Sequence, residues 1–195
     1  MTTLIVSDVH LGSGYNRAGE LASLLIRRSF GRLIILGDLF DRPRTMMLNE
    51  SEWDLVDAIR GLSLRKEIIW VEGNHDEGFG DVISSTLGIR AEREYEWTER
   101  GKRFLALHGH QFDSYTTSGS YAASCAGFVY GMLRRIDNLA STDLFHRLCF
   151  ENRSWKPSSR MVKESALGYA RERGADVMFC GHTHRAERDM RNGVE

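Results

Sequence analysis

The stretch Arg32-Leu33-Ile34-Ile35-Leu36-Gly37-Asp38-Leu39-Phe40-Asp41 decides how the rest of the chain is read. Four consecutive aliphatic residues, closed by a glycine and a carboxylate, read as a short strand buried on both faces. Strands of that kind belong to α/β sheets, where ligands collect beyond the carboxyl ends of the strands. Asp38 stands at such an end.

The same grammar recurs on either side. Leu4-Ile5-Val6 leads to Asp8-Val9-His10, and Ile68-Ile69-Trp70-Val71 leads to Gly73-Asn74-His75-Asp76. Phe104-Leu105-Ala106-Leu107 leads to His108-Gly109-His110, and Val177-Met178-Phe179-Cys180 leads to Gly181-His182-Thr183-His184. Five strands therefore deliver Asp, Asn and His to one sheet edge. Mixed nitrogen and oxygen ligands in that number suit two transition-metal ions and point to metal-assisted hydrolysis. Asp8 and His10, like His182 and His184, are separated by one residue, so an extended segment presents both to one side. A glycine before a ligand lets the backbone turn sharply. Each cluster alone has a bland reading: DxH as a surface Asp beside a structural His, GD as a turn. Five such clusters, each directly after an apolar run, leave that reading without a cause.

Between these clusters the pattern alternates. Strands are predicted over 3–7, 32–36, 66–71 and 175–180. Helical spacing over 17–29 places Leu21, Leu24, Leu25 and the stem of Arg28 on one face. Asn49, with Glu52 three residues later, forms a capping box that opens a helix, with Trp53, Val56, Ile59 and Leu62 as its apolar face. This βαβαβ order implies a parallel half-sheet. Residues 92–108 alternate around Arg100-Gly101-Lys102 and predict a hairpin. From Tyr115 to about Arg173 the pattern is helical. The chain reads as a single domain, 1–195, of two packed sheets with helices outside and a helical insert over 114–173. Arg191-Asn192-Gly193-Val194 carries a hairpin-turn dipeptide with no returning strand after it, so either C-terminal strands are missing or another chain covers the open edge, and a homodimer or reduced stability is expected.

Bulk properties exclude other classes. The 195 residues are 42% hydrophobic and 27% charged, as in an ordinary globular protein, and the formal net charge is −1. No global basic field favours nucleic acid, no apolar run is long enough for a membrane span, and no signal peptide is visible. Cys125, Cys149 and Cys180 form no CxxC pair and read as buried structural thiols in a reducing, cytoplasmic setting. His146 lies away from every cluster and reads as a packing or surface histidine.

Taken together, Asp8/His10, Gly37-Asp38-Leu39-Phe40-Asp41, Gly73-Asn74-His75-Asp76, His108 and Gly181-His182-Thr183-His184 resemble the five blocks of the calcineurin-like metallophosphoesterase superfamily. The resemblance implies a four-layer α/β/β/α sandwich and two divalent ions, Mn2+ foremost, with Fe, Zn or Ni as alternatives. It implies that Asp8, His10, Asp38 and His184 hold one ion, and that Asp38 bridges to a second held by Asn74, His108 and His182. His75 resembles the family's catalytic imidazole, which touches the scissile phosphoryl group and assists the leaving group. By likeness to the phosphoprotein-phosphatase form of the second block, Asp41 would orient His75 and Arg42 would bind a phosphoryl oxygen; a solvated Arg42 is the alternative. Asn74 would also face substrate. His110 reads as a substrate contact, a support for a ligand, or a strand-end imidazole.

Within the superfamily, the short chain, the HGHxxD block and the helical insert resemble the UDP-2,3-diacylglucosamine hydrolase (diphosphatase) branch. That likeness implies a lipid-linked nucleotide-sugar substrate and peripheral contact with the inner membrane. Apolar residues of the insert, among them Phe128, Leu133 and Phe145, and basic ones, among them Arg134 and Arg153, are compatible with acyl chains and a diphosphate. They are equally compatible with an insert packed on its domain. The chain departs from that branch at His75 and His110, where the strict hydrolase carries arginine and aspartate, which leaves phosphomonoesters, cyclic nucleotides and other phosphodiesters open. A nuclease and a non-catalytic metal-stabilised scaffold are the competing classes.

Overall fold

The computed structural model describes residues 1–13, 16–41, 43, 47–113, 155–191 and 193–194, with the backbone alone at 155–158. The buried aliphatic runs form the centre. β1 (Thr3–Val6), β2 (Arg32–Leu36), β3 (Glu67–Val71) and β4 (Arg90–Glu92) make a parallel sheet in the order β1-β2-β3-β4. β5 (Glu94–Glu99) and β6 (Lys102–Leu107) pair antiparallel, and β7 (Val177–Cys180) pairs parallel to β6 in a second sheet. Helices α1 (Ala18–Arg27), α2 (Glu50–Ser63) and α3 (Gly80–Leu87) connect the first sheet, and α4 (Trp155–Glu172) precedes β7.

The period of two along the strands explains the layering. Leu33, Ile35, Ile68 and Trp70 face one way and pack with Leu25 of α1, Leu55 and Ile59 of α2, and Ile83 and Leu87 of α3. Their neighbours Ile34, Leu36, Ile69 and Val71 face the other way and meet Tyr95 and Ala106 of the second sheet. Leu105 and Leu107 point outward from that sheet onto Ala170 of α4. The described residues thus form the α/β/β/α sandwich that the resemblance implied. Both faces of the central strands are covered, which is why these strands read as unbroken apolar runs.

β2 has the limits read from the sequence, and the capping box is present. Asn49 accepts from the backbone N–H of Glu52, and Glu52 in return accepts from that of Asn49. Glu52 is also buried and accepts from Gly12 N–H at 2.7 Å, tying the helix start to the loop after β1. The apolar face of α2 is Leu55, Val56 and Ile59; Trp53 is more than half exposed. On α1 the buried residues are Ala18, Ala22 and Leu25, whereas Leu24 is exposed.

The hairpin closes on two residues, Arg100 and Gly101, with φ of 53° and 78°, the mirror-image turn that matches strand twist. The sequence reading missed α3 and β4. Of the expected insert, 114–154 lies outside the described residues, while α4 forms its C-terminal part. Arg191 and Val194 exchange backbone hydrogen bonds of 2.9 and 3.1 Å, and Val194 is buried with Leu105 and Leu107. No described helix is long and apolar enough to cross a membrane.

Candidate metal centre

The loops after β1 and β2 continue the sheet beyond its strands. His10 N–H donates to Asp38 O at 2.9 Å, Leu11 N–H to Leu39 O at 2.8 Å, and Asp41 N–H to Leu11 O at 2.9 Å. Gly181 N–H donates to His108 O at 2.9 Å and joins the last two loops in the same way. The clusters are therefore held against one another by backbone before any side chain is considered.

One expectation about these loops is corrected. Asp8, His10, Asp38, His182 and His184 are not extended: their φ values are 55°, 52°, 49°, 66° and 51°. Arg100 in the hairpin turn is the one other non-glycine residue at positive φ among the described residues. Left-handed backbone costs a non-glycine residue about 1–2 kcal/mol, and such residues concentrate at functional sites. An extended strand end would carry successive side chains outward along the strand. With the left-handed backbone, Asp8 and His10 both reach His184, whereas His182 and His184 part, His182 to His108 and Asp113 and His184 to His10 and Asp8. Gly73 contributes differently, since a Cβ there would fall on the Asp38 carboxylate and backbone nitrogen.

Two sets of lone pairs result. In the first, His10 Nε2 and His184 Nε2 lie 3.3 Å apart with their rings stacked, and Asp8 Oδ1 is 3.5 Å from His184 Nε2. In the second, His108 Nε2 is 3.3 Å from Asp38 Oδ2 and 3.2 Å from Asn74 Oδ1. Asp38 joins the sets, its Oδ2 being 3.8 Å from His10 Nε2. The tautomer of His108 is fixed by chemistry. Its Nδ1 lies 2.8 Å from the carbonyl of Leu36, which can only accept, so Nδ1 carries the proton. Nε2 then faces two oxygen acceptors, and a cation, proton or metal, must sit among the three. Imidazole nitrogens with carboxylate and amide oxygens suit borderline divalent ions. The residues fit the two-ion centre.

Electrostatics agree. Burial alone would raise the Asp38 carboxyl, but the hydrogen bond and charge of His108, with the charges of His75 and His10, hold it below the usual carboxylate range. Burial would lower His108, but Asp38 raises it.

His75 stands at the rim, side chain 38% exposed. Its Nδ1 donates to the Asp41 carbonyl at 2.9 Å and lies 3.3 Å from Asp41 Oδ1, and its Nε2 is 4.0 Å from Asp38 Oδ2. The same Asp41 oxygen is 3.3 Å from His10 Nδ1, a second contact that the sequence reading did not foresee. Burial lowers the His75 pKa, but the hydrogen bond to Asp41 and the charge of Asp38 outweigh it and raise it to about 9.

His182 is placed beside His108, rings 5.3 Å apart and edge-on, but its Nε2 turns to Asp113 Oδ2 at 3.0 Å. His110 lies 5.5 Å from the His108 ring and 6.4 Å from that of His182. Burial and the charges of His108 and His182 lower its pKa. Arg42 lies outside the described residues.

Asp76, to which the sequence reading gives no role, is fully buried. Its carboxylate accepts from Leu39 N–H at 2.7 Å, Phe40 N–H at 3.2 Å and Gly73 N–H at 2.8 Å, stapling two ligand loops together. Burial and the charge of Asp38 raise its pKa to about 6, against these hydrogen bonds. Asp76→Ala leaves three buried donors unmatched and is expected to cost about 3 kcal/mol or more in a denaturant titration of the metal-free protein.

The chain matches the Calcineurin-like phosphoesterase family over residues 1–186 and belongs to it. It is thereby a metal-dependent phosphoester hydrolase by family. No curated protein sequence matches it significantly. Among solved structures, it is similar to a protein of unknown function from Aquifex aeolicus (15% identity, 92% of this chain, 77% of that one, TM-score 0.49). It is also similar to the nuclease MPE of Pseudomonas putida (26% identity, 54% and 53%, TM-score 0.40) and to the phosphoesterase Yfce of E. coli (24% identity, 59% and 61%, TM-score 0.41). The chain spans little more than half the length of those last two proteins, and the family assignment rests on the family match.

Proposed function

We propose that the chain hydrolyses a phosphodiester or pyrophosphate bond using two divalent cations, manganese in first place. The observation that supports this reading is the convergence of two sets of imidazole, carboxylate and amide donor atoms around one buried carboxylate, Asp38. Asp8, His10, Asp38 and His184 would hold one cation, and Asp38, Asn74, His108 and His182 the other. When bound, such a pair supplies Lewis acidity that activates water and takes up charge on the phosphoryl group.

The protein residues supply the rest. His75, with Nδ1 committed to the Asp41 carbonyl, offers Nε2 toward the reacting group. In the cation-free chain its pKa is raised, against burial, by the Asp41 hydrogen bond and the Asp38 charge, and a protonated imidazole is the state needed to donate a proton to a departing oxygen. Asp41 holds both His75 and His10, so one carboxylate couples the proton donor to the cation site. By its sequence block, Arg42 would pair with a phosphoryl oxygen, and His110 would contact the substrate.

The finer reading is a lipid-linked nucleotide sugar as substrate, with the insert against its acyl chains and against the membrane surface. It is supported by the mixed apolar and basic composition of 114–160, outside the described residues. The test is a substrate panel with manganese: an aryl phosphodiester, a phosphomonoester, a cyclic nucleotide, and UDP-sugars with and without acyl chains. The proposal expects diester or pyrophosphate turnover that is lost on chelation. Turnover of the monoester alone would overturn the bond class, and indifference to acyl chains would overturn the lipid reading.

A further inference from the structure

Every described histidine whose tautomer is fixed by a carbonyl has its proton on Nδ1: His108 against Leu36 O at 2.8 Å, and His75 against Asp41 O at 2.9 Å. Both therefore present Nε2. His182 is arranged the other way round. Its Nε2 meets a carboxylate, Asp113 Oδ2, at 3.0 Å, and a carboxylate accepts. Asp113 is 7% exposed, and the mechanism above gives it no task.

The local chain explains how Asp113 comes there. Gly109, at φ 105°, reverses the backbone after β6, and a single 3-10 turn, His110–Phe112, follows. Asp113 N–H closes it on His110 O at 3.0 Å. Because Gly181 N–H pairs with His108 O, this turn lies beside the loop that carries His182. One short loop thus supplies a candidate ligand, His108, and the partner of another.

Resting on the two-cation reading, we propose that Asp113 is a positioning residue of the second cation site: its carboxylate binds the Nε2 proton of His182, leaving Nδ1 as the only donor that imidazole can turn to a divalent ion. The two histidines of that site then bind through opposite nitrogens, each fixed by a different kind of acceptor. A carboxylate behind a ligating imidazole also raises its basicity, and loss of such a partner typically costs 10–100-fold in metal affinity.

Two measurements on the full chain test this. Side-chain 15N spectra of the metal-free, histidine-labelled protein at neutral pH are expected to show His182 neutral, with its proton on Nε2. A proton on Nδ1, or a doubly protonated ring, overturns the proposal without any variant being needed. Manganese titration by calorimetry and electron paramagnetic resonance is expected to find two ions in the wild type. Asp113→Asn is expected to bind one ion with unchanged affinity and the other about 10–100-fold more weakly, with Asp113→Glu recovering part of the loss. Equal binding of both ions by Asp113→Asn overturns the positioning role and leaves the two-cation reading intact. A wild type that binds no manganese overturns both.

Discussion

Asp38→Asn is expected to lower phosphoester hydrolysis by about three orders of magnitude, equivalent to about 4 kcal/mol of transition-state stabilisation. Asp38 reaches both sets of lone pairs, at 3.8 Å from His10 and 3.3 Å from His108. Asparagine has nearly the same shape and keeps an oxygen for the N–H of His75, which Asp38 Oδ1 accepts at 2.9 Å. The fold is therefore retained while the charge between the cations is lost. Manganese stoichiometry falling from two ions toward one or none, with an unchanged circular dichroism spectrum, is the accompanying result. Unchanged stoichiometry in this variant contradicts the bridging role.

The second large effect is at the proton donor. His75→Gln is expected to reduce kcat about 10²–10⁴-fold and to leave manganese stoichiometry at two, because Nε2 of His75 belongs to the rim and Nδ1 is engaged by Asp41. The loss should be smaller for substrates whose leaving group departs easily, such as nitrophenolate, which needs less protonation. The same group gives a pH signature in the metal-free protein. The folded-state pKa of about 9 lies above the ordinary value of 6.5. The stabilisation from its charge is then complete below about pH 6.5 and disappears as pH rises through about 9. Wild type should lose stability across that window relative to His75→Gln, as followed by urea midpoints. Parallel curves for the two proteins would show that the histidine carries no charge-dependent contact.

Much of this was readable in the chain because local signals and the tertiary fold agree. β2 occupies the span its aliphatic run marks, and the Asn49–Glu52 capping box opens α2 as the residue types require. Each ligand cluster follows a strand because the sheet delivers its carboxyl ends to one edge. The misses also have physical causes. α3, with Val82, Ile83, Ser84, Ser85 and Thr86, is poor in helix formers, and only Ile83, Leu87 and the left-handed Gly88 marked it. Trp53 shares the helical spacing of Val56 and Ile59, but α2 buries Leu55 beside them and leaves the indole more than half exposed. Asp76, Asp113 and the second contact of Asp41 act across loops 37, 69 and 31 positions apart in sequence. No spacing rule reaches that far. The left-handed backbone at five candidate ligands was hidden too, since residue types other than glycine give no local signal for it.

The central claim is that Asp38 stands between two cations, and a manganese-soaked crystal measured at the metal absorption edge addresses it most directly. The account predicts two anomalous peaks, roughly 3.5–4 Å apart, with the Asp38 carboxylate in contact with both. A single peak, or a pair that leaves Asp38 outside its coordination, would contradict it.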